Sequence, residues 1–299
     1  FRDEYGFRPL IIGEINGDVA VASETCALDI LRPEEMREVK PGEIIQVTQE
    51  NVISSPKPDV LFKNEPKELK QCVFELIYFA RPDSSQFNEY VYNVRQKIGA
   101  KLAGYDDFDA DVVMPVPDSA NFMALGYANA KRIPFDFGLI RNHYVGRTFI
   151  RPDQYLRDES VRQKFNPLKH FFNDKKVVVV DDSIVRGTTI RKIVRMIRGA
   201  GAREVHLRIG SPPVRFSCFY GIDTPRKDEL IANNMTLDEI RDYVEVDSLK
   251  YLKIEDLKNC VKQPNEFCYA CFDGKYPIPK TDENKAVLEE ASVYGKNTI

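Results

Sequence analysis

Apolar positions along the chain switch between two spacings. In the first 47 residues short β-rich stretches dominate: Leu10–Gly13 and Val19–Ser23 are predicted strands, with turns at Tyr5–Pro9 and Pro41-Gly42. This reads as the edge of an antiparallel β domain. Residues 48–70 are polar, rich in Lys, Pro and Glu, and carry no long periodic segment, so a linker or crossover is expected. From Cys72 onward the texture changes. Val91, Val94, Ile98 and Leu102 recur at helical spacing and predict a helix over Val91–Leu102. Asp111–Val116 is a short apolar strand, followed by Pro-Asp-Ser and a helix over Asn121–Lys131; Phe137–Ile140 is a further strand. Lys176–Val180 is a β-branched run that leads through a turn into a helix over Thr189–Gly199, stopped by Gly199 and Gly201 ahead of the strand Val205–Ile209. Strands alternating with helices predict a parallel, right-handed α/β sheet. In such sheets ligands sit at the carboxyl ends of the strands. The expected divisions are therefore 1–47, a β unit; 48–70, a linker; 71–258, the α/β domain; and 259–299, a tail carrying C-x-x-C.

The sharpest chemical signal is VVVVDDSIVRGTT, residues 177–189. A buried strand would deliver Asp181 and Asp182 to the sheet edge, and Ser183–Thr189 would form a hydroxyl-rich turn opening directly into a helix. Exposed amides at a helix N-terminus suit a phosphate, and Gly187 permits close approach. The carboxylates can accept ribose hydroxyls or hold Mg2+. The Walker pattern GxxxxGK[ST] is absent, so this is a different phosphate loop.

Composition narrows the rest. Hydrophobic residues make up 43% and charged residues 30%, with a net charge of -3, which fits an ordinary soluble protein and argues against non-specific wrapping of nucleic acid. No apolar run approaches the roughly 18 residues of a membrane helix, and no signal-peptide pattern opens the chain. A cytoplasmic protein with neither membrane nor nucleic-acid partners is expected. Its six cysteines then read as reduced thiols, nucleophiles or metal ligands and not as a disulfide framework. Cys268-x-x-Cys271 by itself serves zinc, redox chemistry or accident.

The string from 177 to 189 matches the phosphoribosyl-diphosphate signature of type I phosphoribosyltransferases. CVFELIYFARPDS (72–84), MPVPDSA (114–120), GLIRNHYVGRTFI (138–150), IGSPPVRFSCFYGID (209–223), FCYACFDGKYP (267–277) and VASETCALD (21–29) together resemble the glutamine phosphoribosyl-pyrophosphate amidotransferase family over nearly the whole chain. The resemblance implies transfer of ammonia, taken from glutamine in the intact enzyme, to C1 of 5-phosphoribosyl 1-diphosphate. The products are diphosphate and 5-phosphoribosylamine, in the first committed step of purine synthesis. It implies that Ser119, Asp181 and Asp182 hold Mg2+, that Asp118 and Ser119 face the substrate, and that Ser183, Arg186, Gly187, Thr188 and Thr189 hold the 5'-phosphate. Arg147 would face diphosphate from a mobile flap that excludes water from the transition state. Orientation and electrostatic stabilisation would carry the catalysis, the aspartates acting as binders and not as bases.

The family's glutaminase domain begins with a catalytic Cys that this chain does not carry. Cys26 cannot replace it, because its amino group is locked in a peptide bond. The chain starts at Phe1 in mid-pattern and is expected to be a piece lacking its natural N-terminus, with residues 1–47 the back of a glutaminase domain of the N-terminal-nucleophile type. There Arg8 would grip the glutamine carboxylate and Asp29 its amino group. Cys72, Cys218, Cys268 and Cys271 fall where a subgroup of the family binds a 4Fe-4S cluster; zinc or free thiols remain alternatives, and Cys260 is close enough to Cys268 to compete. Homodimers or homotetramers and purine nucleotide inhibitors are the further partners implied. A purine-responsive transcription regulator would need a basic DNA-binding segment, which residues 1–70 do not supply. A salvage phosphoribosyltransferase would leave the glutaminase remnant and the four cysteines unexplained.

Overall fold

The computed structural model describes residues 1–48, 59–63, 68–144 and 163–278. Its centre is a parallel sheet of four strands in the spatial order Val112–Pro115, Lys176–Asp181, Glu204–Ile209 and Ser248–Tyr251. On the outer side of the first strand, Val113 makes a parallel bridge to Phe135. The chain thus steps outward from its first strand and then returns to add the later strands on the other side. The reversal falls between Val112–Pro115 and Lys176–Asp181, and in open α/β sheets the crevice at such a point receives the ligand.

The valine run explains itself by covering both faces. Val178 and Val180 pack among Val94, Ile98, Met123 and Tyr127, whereas Val177 and Val179 meet Ile190, Ile193, Val194 and Val244. A strand buried on both sides carries no polar alternation. On the first face the helices Val91–Ala103 and Asn121–Lys131 lie in backbone contact: a Cβ on Gly99 would stand 1.8 Å from the Met123 carbonyl oxygen, and one on Gly126 2.1 Å from that of Gln96. On this face, too, Asp106 and Arg208 form a fully buried bidentate pair, with Nε and Nη2 at 2.5 and 2.8 Å from the two carboxylate oxygens.

The predicted elements are present with small shifts: Val91–Ala103, Val112–Pro115, Asn121–Lys131, Lys176–Asp181, Thr188–Gly199 and Glu204–Ile209. Two expectations change. Leu139–Arg141 pairs antiparallel with Phe165–Pro167 instead of entering the parallel sheet; it buries only one side, Leu139, while Ile140 is 47% exposed. Within the expected linker, Asp59–Lys63 forms a strand antiparallel to Glu43–Gln46.

Residues 1–48 hold a three-stranded antiparallel sheet in the order Asp18–Ala22, Ile11–Ile15, Glu35–Glu38. It is joined to the α/β domain by backbone and side chain. Lys70 and Cys72 donate their amides to Tyr5 and Phe7 at 2.8 and 3.0 Å. Glu24 accepts from the Arg81 amide at 2.7 Å and from Ser84 Oγ at 2.8 Å, Thr25 Oγ1 accepts from the Ser85 amide, and Gln86 donates to the Ser23 carbonyl. Part of the motif at 21–29 is therefore a clamp on residues 81–86.

Candidate active site

Two loops meet at the reversal point. The Lys176–Asp181 strand ends in two adjacent buried carboxylates, Asp181 and Asp182, 9% and 5% exposed. From the neighbouring strand comes residues 116–120, with a cis peptide between Pro117 and Asp118. Ser119 Oγ donates to Asp182 Oδ2 at 2.5 Å, and Ser183 Oγ donates to the other oxygen at 2.6 Å. The Asp182 amide turns back to Asp181 Oδ1 at 2.9 Å. Burial, and then the charge of Asp182, pushes the Asp181 carboxyl well above the usual range; burial raises Asp182 too, against the hydrogen bonds from Ser119 and Ser183. Two desolvated carboxylates side by side are the electrostatic complement of a divalent cation. Mg2+ characteristically takes one or two carboxylates and completes its shell with water and substrate oxygens, so the donors present fit it.

The loop continues through Ser183 to Gly187, whose φ of +77° and whose contact with Ile231 leave no room for a side chain. Gly187 is also the N-cap of Thr188–Gly199, so no side chain satisfies the first amides, and no acidic residue stands in the first turn. With Thr188 and Thr189 exposed beside them, those amides are open to an anion. The Ile231 amide holds the loop from behind through the Val185 carbonyl at 2.9 Å. Arg186 points outward and is paired with Glu229 at 2.6 Å. Asp118 pairs with Arg141, at the end of the strand Leu139–Arg141. Arg147 lies outside the described residues.

Of the expected glutamine contacts, Arg8 is paired with the buried Glu75 and stacks over Phe79 with its guanidinium 5.6 Å from the ring centroid. Asp29 is exposed at the end of the short helix Thr25–Asp29. No hydrogen bond or ion pair joins them among the described residues. Burial pushes Glu75 up to about 7, with Arg8 pulling the other way.

The four marked cysteines come to one place. Cys72 and Cys268 are register partners in the parallel pair Gln71–Cys72 and Phe267–Cys268. Burial, followed by the charges of Cys72, Cys268 and Cys218, pushes the Cys271 thiol well above its ordinary value; burial takes Cys72 up to about 12 and Cys268 to about 11. Cys260 is apart from them, fully buried with Sγ toward the Asp256 carbonyl at 3.2 Å. Among the described residues no three His, Cys, Asp or Glu converge on a single ion.

One residue escaped the sequence. Arg95 lies on the buried stripe of Val91–Ala103, beneath the 116–120 loop, and is 1% exposed. The signal was there: an arginine at i+4 from Val91 in an otherwise apolar stripe.

The parallel sheet, the carboxylate pair at its reversal point and the open helix N-terminus define the type I phosphoribosyltransferase fold, and residues 89–209 match the phosphoribosyl transferase domain family. Amidophosphoribosyltransferase 2, chloroplastic, from Arabidopsis thaliana is 51% identical over 94% of this chain and 50% of its own length. The solved structure of glutamine phosphoribosylpyrophosphate amidotransferase from B. subtilis, complexed with ADP and GMP, superposes with a TM-score of 0.82 at 43% identity, covering 95% of this chain and 62% of that one. A structure described as the allosteric regulatory enzyme of purine biosynthesis gives a TM-score of 0.82 at 44% identity, over 94% and 60%. The chain is a homologue of the amidophosphoribosyltransferases. It spans about half the length of the curated relatives it matches.

Proposed function

We propose that this chain carries the ribosyl-transfer half of an amidophosphoribosyltransferase. Ammonia attacks C1 of 5-phosphoribosyl 1-diphosphate, the C1–O bond to diphosphate breaks, and 5-phosphoribosylamine and diphosphate result. The observation that carries this reading is the contact between Ser119 and Asp182, which joins the two loops at the reversal point. In this reading the amides of 183–189 bind the 5'-phosphate, Asp181 and Asp182 orient the ribose, and Asp118 and Ser119 line the diphosphate end. Mg2+, when bound by Ser119, Asp181 and Asp182, would supply charge neutralisation to the departing diphosphate. No group in this set needs to take a proton from carbon; the residues bind and orient. Glutamine as the ammonia source, with Arg8 and Asp29 as its contacts, belongs to the same proposal for the longer protein, as do nucleotide inhibition and a homo-oligomeric state.

With ammonia at alkaline pH the chain is expected to release diphosphate from 5-phosphoribosyl 1-diphosphate; with glutamine it is not. The motivation is that Cys26 is buried, bonded toward Glu24, and has no free amino group. A diphosphate-release assay with each donor decides it, and glutamine-dependent turnover by this chain would mean that another nucleophile is present.

We further propose that Cys72, Cys218, Cys268 and Cys271 hold a 4Fe-4S cluster. Their mutual electrostatic contact supports a common ligand. The pairing of Cys72 with Cys268 across two short parallel strands brings two of the four thiols side by side. A ligand bound only in the folded state stabilises it by linkage. Anaerobically purified protein is expected to be brown, with about four irons per chain, and Cys268→Ser to melt at a lower temperature. Stoichiometric zinc in a colourless preparation would refute the iron; no metal and an unchanged midpoint would refute the ligands as well.

A further inference from the structure

Arg95 is a buried cation with an unusual set of partners. Taking a guanidinium out of water costs several kcal/mol unless partners receive it, and the charges of Asp182, Glu24 and Glu75 act on it without a direct ion-pair contact among the described residues. Three backbone carbonyls receive it instead: Leu76 from Nε at 3.0 Å, Ala80 from Nη2 at 2.6 Å and Ser119 from Nη1 at 3.4 Å. The first lies within the π-helical turn Glu75–Phe79 that follows Cys72, and the second caps its C-terminus. The third belongs to the loop whose Ser119 hydroxyl reaches Asp182. One guanidinium thus ties the base of the 116–120 loop to a turn distant in sequence, with a full positive charge fixed behind the carboxylate pair.

We propose that Arg95 is a positioning residue for the diphosphate end of the substrate, acting through the Ser119 carbonyl. The inference rests on the phosphoribosyltransferase reading. Fixing that carbonyl fixes the peptide and the hydroxyl beyond it, so the loop presents one geometry to an incoming diphosphate. The buried charge also offsets part of the negative potential of Asp182, Glu24 and Glu75 around it, which makes the loop less repulsive to a polyanion. The phosphate loop at 183–189 is held separately, through Ile231 and the Lys176–Asp181 strand. The two loops touch through Asp182, but the backbone anchors of the phosphate loop do not involve Arg95, so Arg95 acts mainly on the diphosphate end.

The test is calorimetric binding by the whole 299-residue chain of two probes, magnesium diphosphate and ribose 5-phosphate. Arg95→Met is expected to weaken magnesium diphosphate by roughly tenfold or more while ribose 5-phosphate changes by less than about twofold. Arg95→Lys keeps the charge but not the three-way reach, and is expected to recover part of the diphosphate loss. Equal weakening of both probes would assign Arg95 to general folding and overturn the proposal, as would unchanged diphosphate affinity. If Arg95→Met does not fold, Arg95→Lys decides by the same comparison: unequal loss supports the role, and equal loss or none refutes it. A wild-type chain that binds neither probe would remove the phosphoribosyltransferase site itself, a failure distinct from that of Arg95.

Discussion

Asp181→Asn and Asp182→Asn are each expected to weaken binding of 5-phosphoribosyl 1-diphosphate in Mg2+ by at least tenfold, about 1.4 kcal/mol or more. Each exchange keeps the shape and removes one of the two charges that the proposed site offers to a cation and to ribose hydroxyls. The same exchange should not destabilise the free protein. Burial raises both carboxyls in the folded state. A group whose folded pKa is raised contributes stability below its unfolded pKa, near 4, and loses it as pH rises toward the folded value. At neutral pH the pair therefore opposes folding, and an amide in its place relieves that burden. Binding should fall while the metal-free thermal midpoint holds or rises, the pattern of a site that trades stability for function. Calorimetry and a melting curve on the same samples test both halves. Unchanged affinity in both variants would remove the pair from the site.

Asp106→Asn should act in the opposite sense, on stability first. The Asp106 carboxylate takes two bonds from Arg208, a third from Tyr127 at 2.6 Å and an ion pair from Lys250 at 3.1 Å. Burial alone would raise this carboxyl, but the Arg208 and Tyr127 hydrogen bonds and the Arg208 charge hold it below its usual value. Its contribution is thus present at neutral pH and is lost only as pH falls through that lowered folded value. Removing one partner of a buried pair leaves an uncompensated charge, at a penalty of about 3–5 kcal/mol. For a chain of this size that corresponds to roughly five to eight degrees in thermal midpoint. Replacing both partners with apolar residues should recover much of the loss, because the desolvation of two ions disappears together. A midpoint for Asp106→Asn within about two degrees of wild type, well under that shift, would mean that the pair is dispensable.

Legibility in the sequence followed how much each element declares locally. The strand Lys176–Asp181 and the helix Thr188–Gly199 announce themselves, since a valine run between a basic start and two acids has few other solutions. The turn at 183–187 was readable as a strand-to-helix connection for the same reason: its residues are contiguous. The edge strand Ser248–Tyr251 was not, because SLKY is four residues with a lysine, and its partner sets its conformation. The strand Asp59–Lys63 lay hidden in a polar segment and is identified only by its pairing with Glu43–Gln46. Arg95 was hidden differently. Its partners are main-chain carbonyls 15, 19 and 24 residues away, and a carbonyl has no letter in the sequence. The glutamate of the motif at 21–29 was visible, but its engagement with residues 81–86 depends on two segments about 60 residues apart meeting in space.

That engagement has a practical meaning for anyone wishing to isolate the α/β domain. A boundary at residue 71 looks like a natural place to cut, yet it is not a seam in the molecule. Ser84 and Gln86 are 0% and 1% exposed because the earlier segment covers them. A protein started at residue 71 would open those groups to water and strip the Cys72 amide of its acceptor. The β unit serves the α/β domain as a built-in folding partner, and an excised domain would have to replace it.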